Sequence, residues 1–554
     1  MSEREELEFN VRGMTCDSCA LHVEKALRSV EGVIDVSVPG WQSGRARVVA
    51  DGGVDPQALG AAVQRAGYSA TVKARRPAGA PGKPDGRDRG SSDLMVIGAG
   101  SGGFAAAIKG AELGARVALV GAGSIGGTCV NVGCVPSKTL IRAMDQHHLA
   151  RSHRFRGVET SAGSISWPQV IADKDELVNE MRQQRYIDVL AAYHQIEYLE
   201  GRARFTAPDT VEVDGVPHTP GKVVIATGAH PWAPPISGLT EAGYLDSTSA
   251  LDLKELPKSM IVLGGNAVGL ELAQIYARAG SYVMVLEVLP RIAPFEDEDV
   301  SASLTEYLEQ DGLRIVPGFK ATRVEKFGGR YRLTGTKNEA QVSFEADQLL
   351  VATGRRANSS GMGLEEAGIR LGERGEILVN DRLQTHNPLV YAAGDVTGRD
   401  MFVYVASYGG MLAAENALTG AGKLYDTSTI PRITFTDPQI ASAGLTETQA
   451  REQGHTVKIS AVPMGYVPRA QAGRDTRGFL KLVADATTDR LLGAHILAPE
   501  AGEMIQMAVM TIRFGITLSQ LRETMFPYLT NSEGLKLAAL AFEKDLAKLS
   551  CCAG

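Results

Sequence analysis

Twice in this chain a short run of apolar β-formers ends in a glycine-rich turn and passes directly into a helix-forming stretch. The first reads Asp93-Leu-Met-Val-Ile, then Gly98-Ala99-Gly100-Ser101-Gly102-Gly103; the second reads Ser259-Met-Ile-Val-Leu, then Gly264-Gly265-Asn266-Ala267-Val268-Gly269. A buried strand turning sharply into a helix opens a βαβ unit, which commits the chain to an α/β fold with parallel strands. In the first turn Gly98 permits the tight bend, Gly100 lets backbone amides approach a pyrophosphate, and Gly103 lets helix and strand pack closely. This is the pattern of a dinucleotide site rather than of an ordinary turn. One feature of such sites is missing, because the strand Val117–Val120, whose end should carry an acid for a ribose hydroxyl, is followed by Gly121. Ribose must be anchored differently there.

In the second turn Asn266 stands for the middle glycine; asparagine tolerates positive φ better than most residues but is bulkier. The strand that follows, Tyr282 to Glu287, does end in an acid, which accepts from an unphosphorylated ribose and repels a 2′-phosphate. Glu287 therefore favours NADH over NADPH, with Arg291 close enough in sequence to oppose it.

With 554 residues the chain exceeds what one core serves, and a prior of roughly 150 residues per domain implies three or four domains. Its 57 basic and 64 acidic residues give a net charge of −7 with no basic stripe, which argues against nucleic acid. An acidic N-terminus, Met-Ser-Glu-Arg-Glu-Glu, and the lack of any apolar run of about 18 residues point to a cytoplasmic protein without membrane insertion. Residues 73–92, dense in Pro, Gly and charge, read as a flexible linker. Before it, residues 1–72 pattern as strand, cysteine loop, helix, two strands, helix and a last strand near Ala70–Val72, a ferredoxin-like βαββαβ domain. After it, two nucleotide-binding units are followed, from about Ile430, by mixed strands and long apolar helices suited to oligomerisation.

The six cysteines fall only in close pairs: Cys16 with Cys19, Cys129 with Cys134, Cys551 with Cys552. In a reducing cytoplasm such pairs serve metal binding or redox cycling better than stapling. Gly126-Gly127-Thr128-Cys129-Val130-Asn131-Val132-Gly133-Cys134-Val135-Pro136-Ser137-Lys138 resembles the redox-active motif of the flavin-dependent pyridine nucleotide-disulphide oxidoreductases, a family that includes glutathione reductase, dihydrolipoamide dehydrogenase and mercuric reductase. The resemblance covers residues 93–554 and extends to Ala226-Thr227-Gly228-Ala229, Ala352-Thr353-Gly354-Arg355, and Thr385 through Tyr391-Ala392-Ala393-Gly394-Asp395. It implies two Rossmann-like domains (FAD-binding over 93–254 and 383–428, NAD(P)H-binding over 255–382) and an α+β dimerisation domain over 429–554. It also implies bound FAD, touched by Gly98, Gly100, Gly103, Gly123, Thr128, Lys138, Ala229, Asp395 and Val403. The nicotinamide cofactor, held by Gly264, Gly269 and Glu287, is NADPH by resemblance and NADH by the argument from Glu287. Cys134 would be the thiolate against the flavin and Cys129 the partner that meets substrate. Lys138, paired with Glu271, would lie beside the flavin's reactive edge.

Within the family, disulfide-reducing members carry His-Pro-Thr, followed by a glutamate, where this chain reads Phe526-Pro527-Tyr528-Leu529-Thr530-Asn531-Ser532-Glu533. A phenol with a reference pKa of about 10 is a poor proton donor to a departing thiolate near neutrality. A thiolate-bound metal ion needs electrons more than a proton. The vicinal Cys551-Cys552 resembles the tail by which mercuric reductases reach the partner subunit's active site, and Gly13-Met14-Thr15-Cys16-Asp17-Ser18-Cys19 resembles a heavy-metal-associated loop, whose soft thiolates select ions such as Cu(I) or Hg(II). Tyr528 and Tyr186 match tyrosines near the metal in that branch. These resemblances imply a homodimer with a shared active site that reduces Hg(II), delivered as thiol complexes, with electrons from NAD(P)H. Two other readings compete: a disulfide reductase of the dihydrolipoamide dehydrogenase or glutathione reductase type, and a nonenzymatic soft-metal chaperone.

Overall fold

A computed structural model describes residues 4–14, 17–38, 45–51, 53–77 and 92–549. The chain divides into two compact units, residues 1–91 and 92–554.

In the first unit β1 (Arg4–Arg12), α1 (Asp17–Arg28), β2 (Val33–Ser37), β3 (Arg45–Asp51), α2 (Pro56–Arg65) and β4 (Ser69–Pro77) follow in the order βαββαβ. The antiparallel sheet has the order β2-β3-β1-β4, the ferredoxin-like arrangement. Alternation along β1 buries Leu7, Phe9 and Val11, and Ala20, Val23 and Leu27 of α1, three and four residues apart, close over them. Asp55 caps α2 by accepting from the Gln57 amide at 2.9 Å, with Pro56 in the first turn.

The last strand is longer than its composition suggests. Residues 73–77, read from the sequence as linker, continue β4, paired along β1 as far as Glu5 opposite Pro77. Charge is compatible with the ladder here because it is matched across strands: the Arg75 guanidinium reaches Glu5 at 2.7 Å. Residues 78–91 of the expected linker lie outside the described residues.

The second unit opens with β5 (Leu94–Ile97), α3 (Ser101–Glu112), β6 (Val117–Gly121), α4 (Gly127–Val132) and α5 (Cys134–Arg151). With β7 (Ile196–Glu200), β8 (Lys222–Ile225) and the strand Val390–Ala392, these form a parallel sheet in which β5 lies between β8 and β6. Every residue of β5 is buried, as a strand covered on both faces requires. The second glycine turn joins β9 (Ser259–Leu263) to α6 (Ala267–Ala279) and β10 (Tyr282–Leu286), in a parallel sheet completed by Arg314–Val316 and Gln348–Val351. Helix α7 (Val403–Thr419) packs on α3. An antiparallel sheet of five strands between Arg432 and Ala498, covered by the helix Ala501–Arg513, ends the fold.

One buried charge cluster ties these layers together. Arg278 of α6, 2% exposed, meets Asp145 of α5 at 2.6 Å, Asp311 at 2.7 Å and Asp437 at 2.7 Å. Arg477 holds the other oxygen of Asp437 at 2.6 Å. The two guanidiniums pull the Asp437 carboxyl below the usual carboxylate range against the opposing effect of burial.

Candidate active site

Helix α4 carries Cys129 and α5 begins at Cys134, with Gly133 between them. Both sulfurs are half-buried free thiols. The Cys129 thiol donates to Cys134, and this hydrogen bond drives the two apart: Cys129 rises far above the ordinary thiol range while Cys134 falls to about 7. Burial opposes the fall; the Lys138 ammonium assists it and Glu271 works against it. Cys134 is also the first residue of an 18-residue helix, where the macrodipole favours a thiolate.

Lys138, one turn along α5, places its Nζ 2.7 Å from Oε2 of Glu271, a buried residue of α6. Its ammonium lies 4.6 Å from the centre of the Phe435 ring, and the other Glu271 oxygen accepts from the Phe435 amide at 2.9 Å. Phe435 escaped the sequence reading, since nothing local marks a residue so far along the chain as support for Lys138. Arg355 was quoted there only as part of a motif. Its guanidinium donates to the Ala229 carbonyl, and its Nε, 3.8 Å from Asp395, is buried without a hydrogen-bond partner. Burial pushes the Arg355 pKa down and the Asp395 carboxyl up, each partly offset by the other.

Tyr186 lies in a single π-helical turn, Gln183–Ile187, a local distortion frequent at functional sites. Its ring meets Phe104 edge-on at 5.0 Å and its hydroxyl lies 3.4 Å from Ser101 Oγ. Burial raises its pKa, and the charges of Cys129 and Cys134 act in the same direction. Tyr528 stands 51% exposed in the loop before the helix Glu533–Leu540, where the Glu533 Oε2 is buried without a hydrogen bond. Cys19 is half-buried on α1 against the core of the first unit. Cys16, Cys551 and Cys552 lie outside the described residues.

The first glycine turn fits a dinucleotide. A Cβ at Gly98, whose φ is +118°, would lie 2.3 Å from the Ala226 carbonyl oxygen, and one at Gly103 would lie 1.7 Å from that of Gly98. No side chain caps α3, so its first amides remain available to a phosphate. Gly123 and Thr128 are exposed on the segment after β6, Val403 begins α7, and Ala229 is tied to Arg355. With the unpartnered Arg355 Nε beside Asp395, these residues suit FAD.

In the second turn a Cβ at Gly269 would lie 2.0 Å from the Gly264 carbonyl oxygen. Asn266 corrects the sequence reading. Its φ is −110°, extended backbone open to any residue, so tolerance of positive φ does not explain asparagine there. Glu287, 7% exposed, accepts from the Gly265 amide at 2.7 Å and the Leu289 amide at 2.8 Å. Arg291 donates to the carbonyls of Ala293 at 3.4 Å and Glu296 at 2.6 Å.

Two dinucleotide-type turns in one unit, with a thiolate and its cation between them, define a flavin-dependent pyridine nucleotide oxidoreductase. Residues 92–410 match the family model for pyridine nucleotide-disulphide oxidoreductases, residues 430–539 that for their dimerisation domain, and residues 8–69 that for the heavy-metal-associated domain. The chain is 42% identical over 551 residues to a mercuric reductase of Lysinibacillus sphaericus, spanning 99% of each. It is 45% identical over 470 residues to a mercuric reductase of Streptomyces lividans, spanning 83% of this chain and 98% of that one. Among solved structures it resembles the Cu(II) complex of the HOCl-induced flavoprotein disulfide reductase RclA of Escherichia coli, with a TM-score of 0.73 and 33% identity over 82% of this chain and 100% of that one. The chain belongs to the mercuric reductases of the pyridine nucleotide-disulphide oxidoreductase family. Among the described residues no helix is long and apolar enough to cross a membrane.

Proposed function

We propose that Cys129 and Cys134 hold Hg(II) for reduction, and that the asymmetry between a protonated Cys129 and a Cys134 near 7 is what makes the pair competent. Hg(II) bound by two sulfurs takes up two electrons and leaves as Hg(0). Binding of Hg(II) displaces the Cys129 proton; after reduction Cys134 is again a thiolate and Cys129 takes a proton back, while NAD(P)H becomes NAD(P)⁺ with release of a proton. Bound FAD supplies the two-electron relay between nicotinamide and thiols. Lys138, oriented by Glu271 and Phe435, stabilises the negative charge that accumulates beside the sulfurs. Tyr186 and Tyr528 bound the metal's approach. Gly98, Gly100, Gly103, Gly123, Thr128, Ala229, Asp395 and Val403 hold the flavin, and Gly264 and Gly269 the nicotinamide nucleotide.

Cys551 and Cys552 receive Hg(II) from a thiol complex, directly or through Cys16 and Cys19, and deliver it to the thiol pair of the partner subunit in a cytoplasmic homodimer. NADH is the preferred reductant. Glu287 sits at the ribose end of the second strand, and Arg291, the nearest cation in sequence, is occupied by backbone carbonyls.

The test is oxidation of NADH and of NADPH by purified protein with excess small thiol, with and without Hg(II), while volatile mercury is trapped. Hg(II)-dependent oxidation with matching Hg(0) release is expected, reduced in Cys551→Ala/Cys552→Ala when Hg(II) is supplied as a thiol complex. Turnover of lipoamide or glutathione disulfide without Hg(0) release would instead identify a disulfide reductase with a metal-binding domain.

A further inference from the structure

The end of β6 poses a question that the family does not answer for this chain. In a unit of this kind the residue after the second strand's buried core carries an acid that engages the adenosine ribose. Here Gly121 occupies that position, and the space beside it is already filled. A Cβ at Gly121 would lie 2.5 Å from Tyr198 Oη, 3.0 Å from Tyr198 Cε2 and 3.0 Å from Ala99 Cβ. The acid is not merely missing; a phenol oxygen stands where its side chain would begin.

Tyr198 comes from β7, the parallel neighbour of β6, with Tyr198 opposite Leu119 and Glu200 opposite Gly121. Its ring therefore runs along the strand toward the carboxyl end of the sheet, where ligands of open α/β sheets bind. The ring packs on the same apolar cluster as Ala99 and Phe104, which fixes it beside the phosphate turn. Its hydroxyl is not among the buried unpartnered side-chain atoms, so it is open to a ligand from solvent.

We propose that the Tyr198 hydroxyl anchors the adenosine ribose of FAD in place of the acid absent at Gly121. The inference rests on the flavin reading above. Burial, with Glu200 adding to it, raises the phenol above its ordinary range, so it stays protonated at neutral pH and can both donate to and accept from a ribose hydroxyl. A carboxylate could only accept. The exchange also removes a negative charge from the neighbourhood of the pyrophosphate. Gly121 and Tyr198 are thus a coupled pair, since an acid at 121 needs a smaller residue at 198.

Deflavinated protein titrated with FAD, followed by flavin fluorescence, tests this without recourse to turnover. The ligands are FAD and its analogues lacking the 2′- or the 3′-hydroxyl of the adenosine ribose. The parent should bind one of the two deoxy forms about three- to tenfold more weakly than FAD, the range of a single hydrogen bond. Tyr198→Phe, which keeps the ring, should lose a similar factor for FAD and no longer discriminate against that analogue. Gly121→Glu should lose flavin through collision with the ring, and Gly121→Glu/Tyr198→Val should recover it. Glu200, exposed at the end of β7, is the competing anchor, and Glu200→Gln should leave both affinities unchanged. Parent-like discrimination in Tyr198→Phe, or its loss in Glu200→Gln, would overturn the proposal. Protein that never binds flavin would instead overturn the flavin reading itself.

Discussion

The two glycine-turn units share one backbone solution and diverge at the end of their second strands. In both, the first glycine of the turn donates to the carbonyl just before the position of the ribose-binding acid, Gly98 to Val120 at 2.8 Å and Gly264 to Leu286 at 2.9 Å. Beyond that point the first unit has a glycine and a neighbouring phenol, the second a buried carboxylate engaged by two amides. A strand-end acid in this fold is therefore more than a ligand contact. In the second unit Glu287 is built into the turn through Gly265, so its removal disturbs the turn itself. In the first unit the corresponding position is free of that duty.

The largest effects should come from the feature the units share. Gly103→Ala drives a Cβ to 1.7 Å from the Gly98 oxygen, and Gly269→Ala drives one to 2.0 Å from the Gly264 oxygen. Each should cost about 1–3 kcal/mol or more through overpacking. The flavin-to-protein absorbance ratio and anaerobic reduction by NADH separate them. Gly103→Ala should purify depleted of flavin, whereas Gly269→Ala should keep its flavin and lose reduction by nicotinamide. Loss of flavin from both would mean that the units are not independent.

Glu287→Ala probes the divergence directly. The buried Gly265 amide loses its acceptor, at about 1–3 kcal/mol if left unsatisfied, and the Leu289 amide turns to solvent, so the urea midpoint should fall. The ratio of kcat/KM for NADH to that for NADPH should fall with it. A lower midpoint with an unchanged ratio would make Glu287 a structural residue only.

The third and smallest effect concerns what the second unit lends to the first. Glu271 on α6 reaches Lys138 on α5, and their charges act on Cys134 in opposite senses. Alkylation of Cys134 by iodoacetamide should show an inflection near its pKa of about 7. Lys138→Met removes a stabilising cation, so the inflection should move up. Glu271→Gln removes a destabilising anion, so it should move down. Movement of both in one direction would show that the ion pair acts through geometry rather than charge.

The architecture was legible where a physical rule operates over a few residues. The succession of β-forming and helix-forming stretches around the cysteine loop was enough to recover βαββαβ, and the glycines after each apolar strand marked both nucleotide turns. The thiol motif and Lys138 share one short stretch and could be read together. Asn266 was misjudged because its identity suggested a backbone conformation that its position does not require. Residues 73–77 looked like linker because composition does not reveal that Glu5 waits across the sheet for Arg75. Phe435 and Tyr198 were invisible for a related reason. Each matters through contact with a residue on another element, and a tyrosine on β7 reads as an ordinary strand residue until Gly121 is seen beside it.

Helix α5 starts at the redox sulfur and, 11 residues later, about 16 Å along its axis, carries Asp145 into the cluster around Arg278 and Asp437. Chemistry and assembly segment are thereby joined by one rigid rod. A chimera that imported residues 430–539 from a relative would inherit more than a dimer surface. Without an acid at 437, the graft would leave the buried Arg278 one carboxylate short at the far end of the helix that presents Cys134.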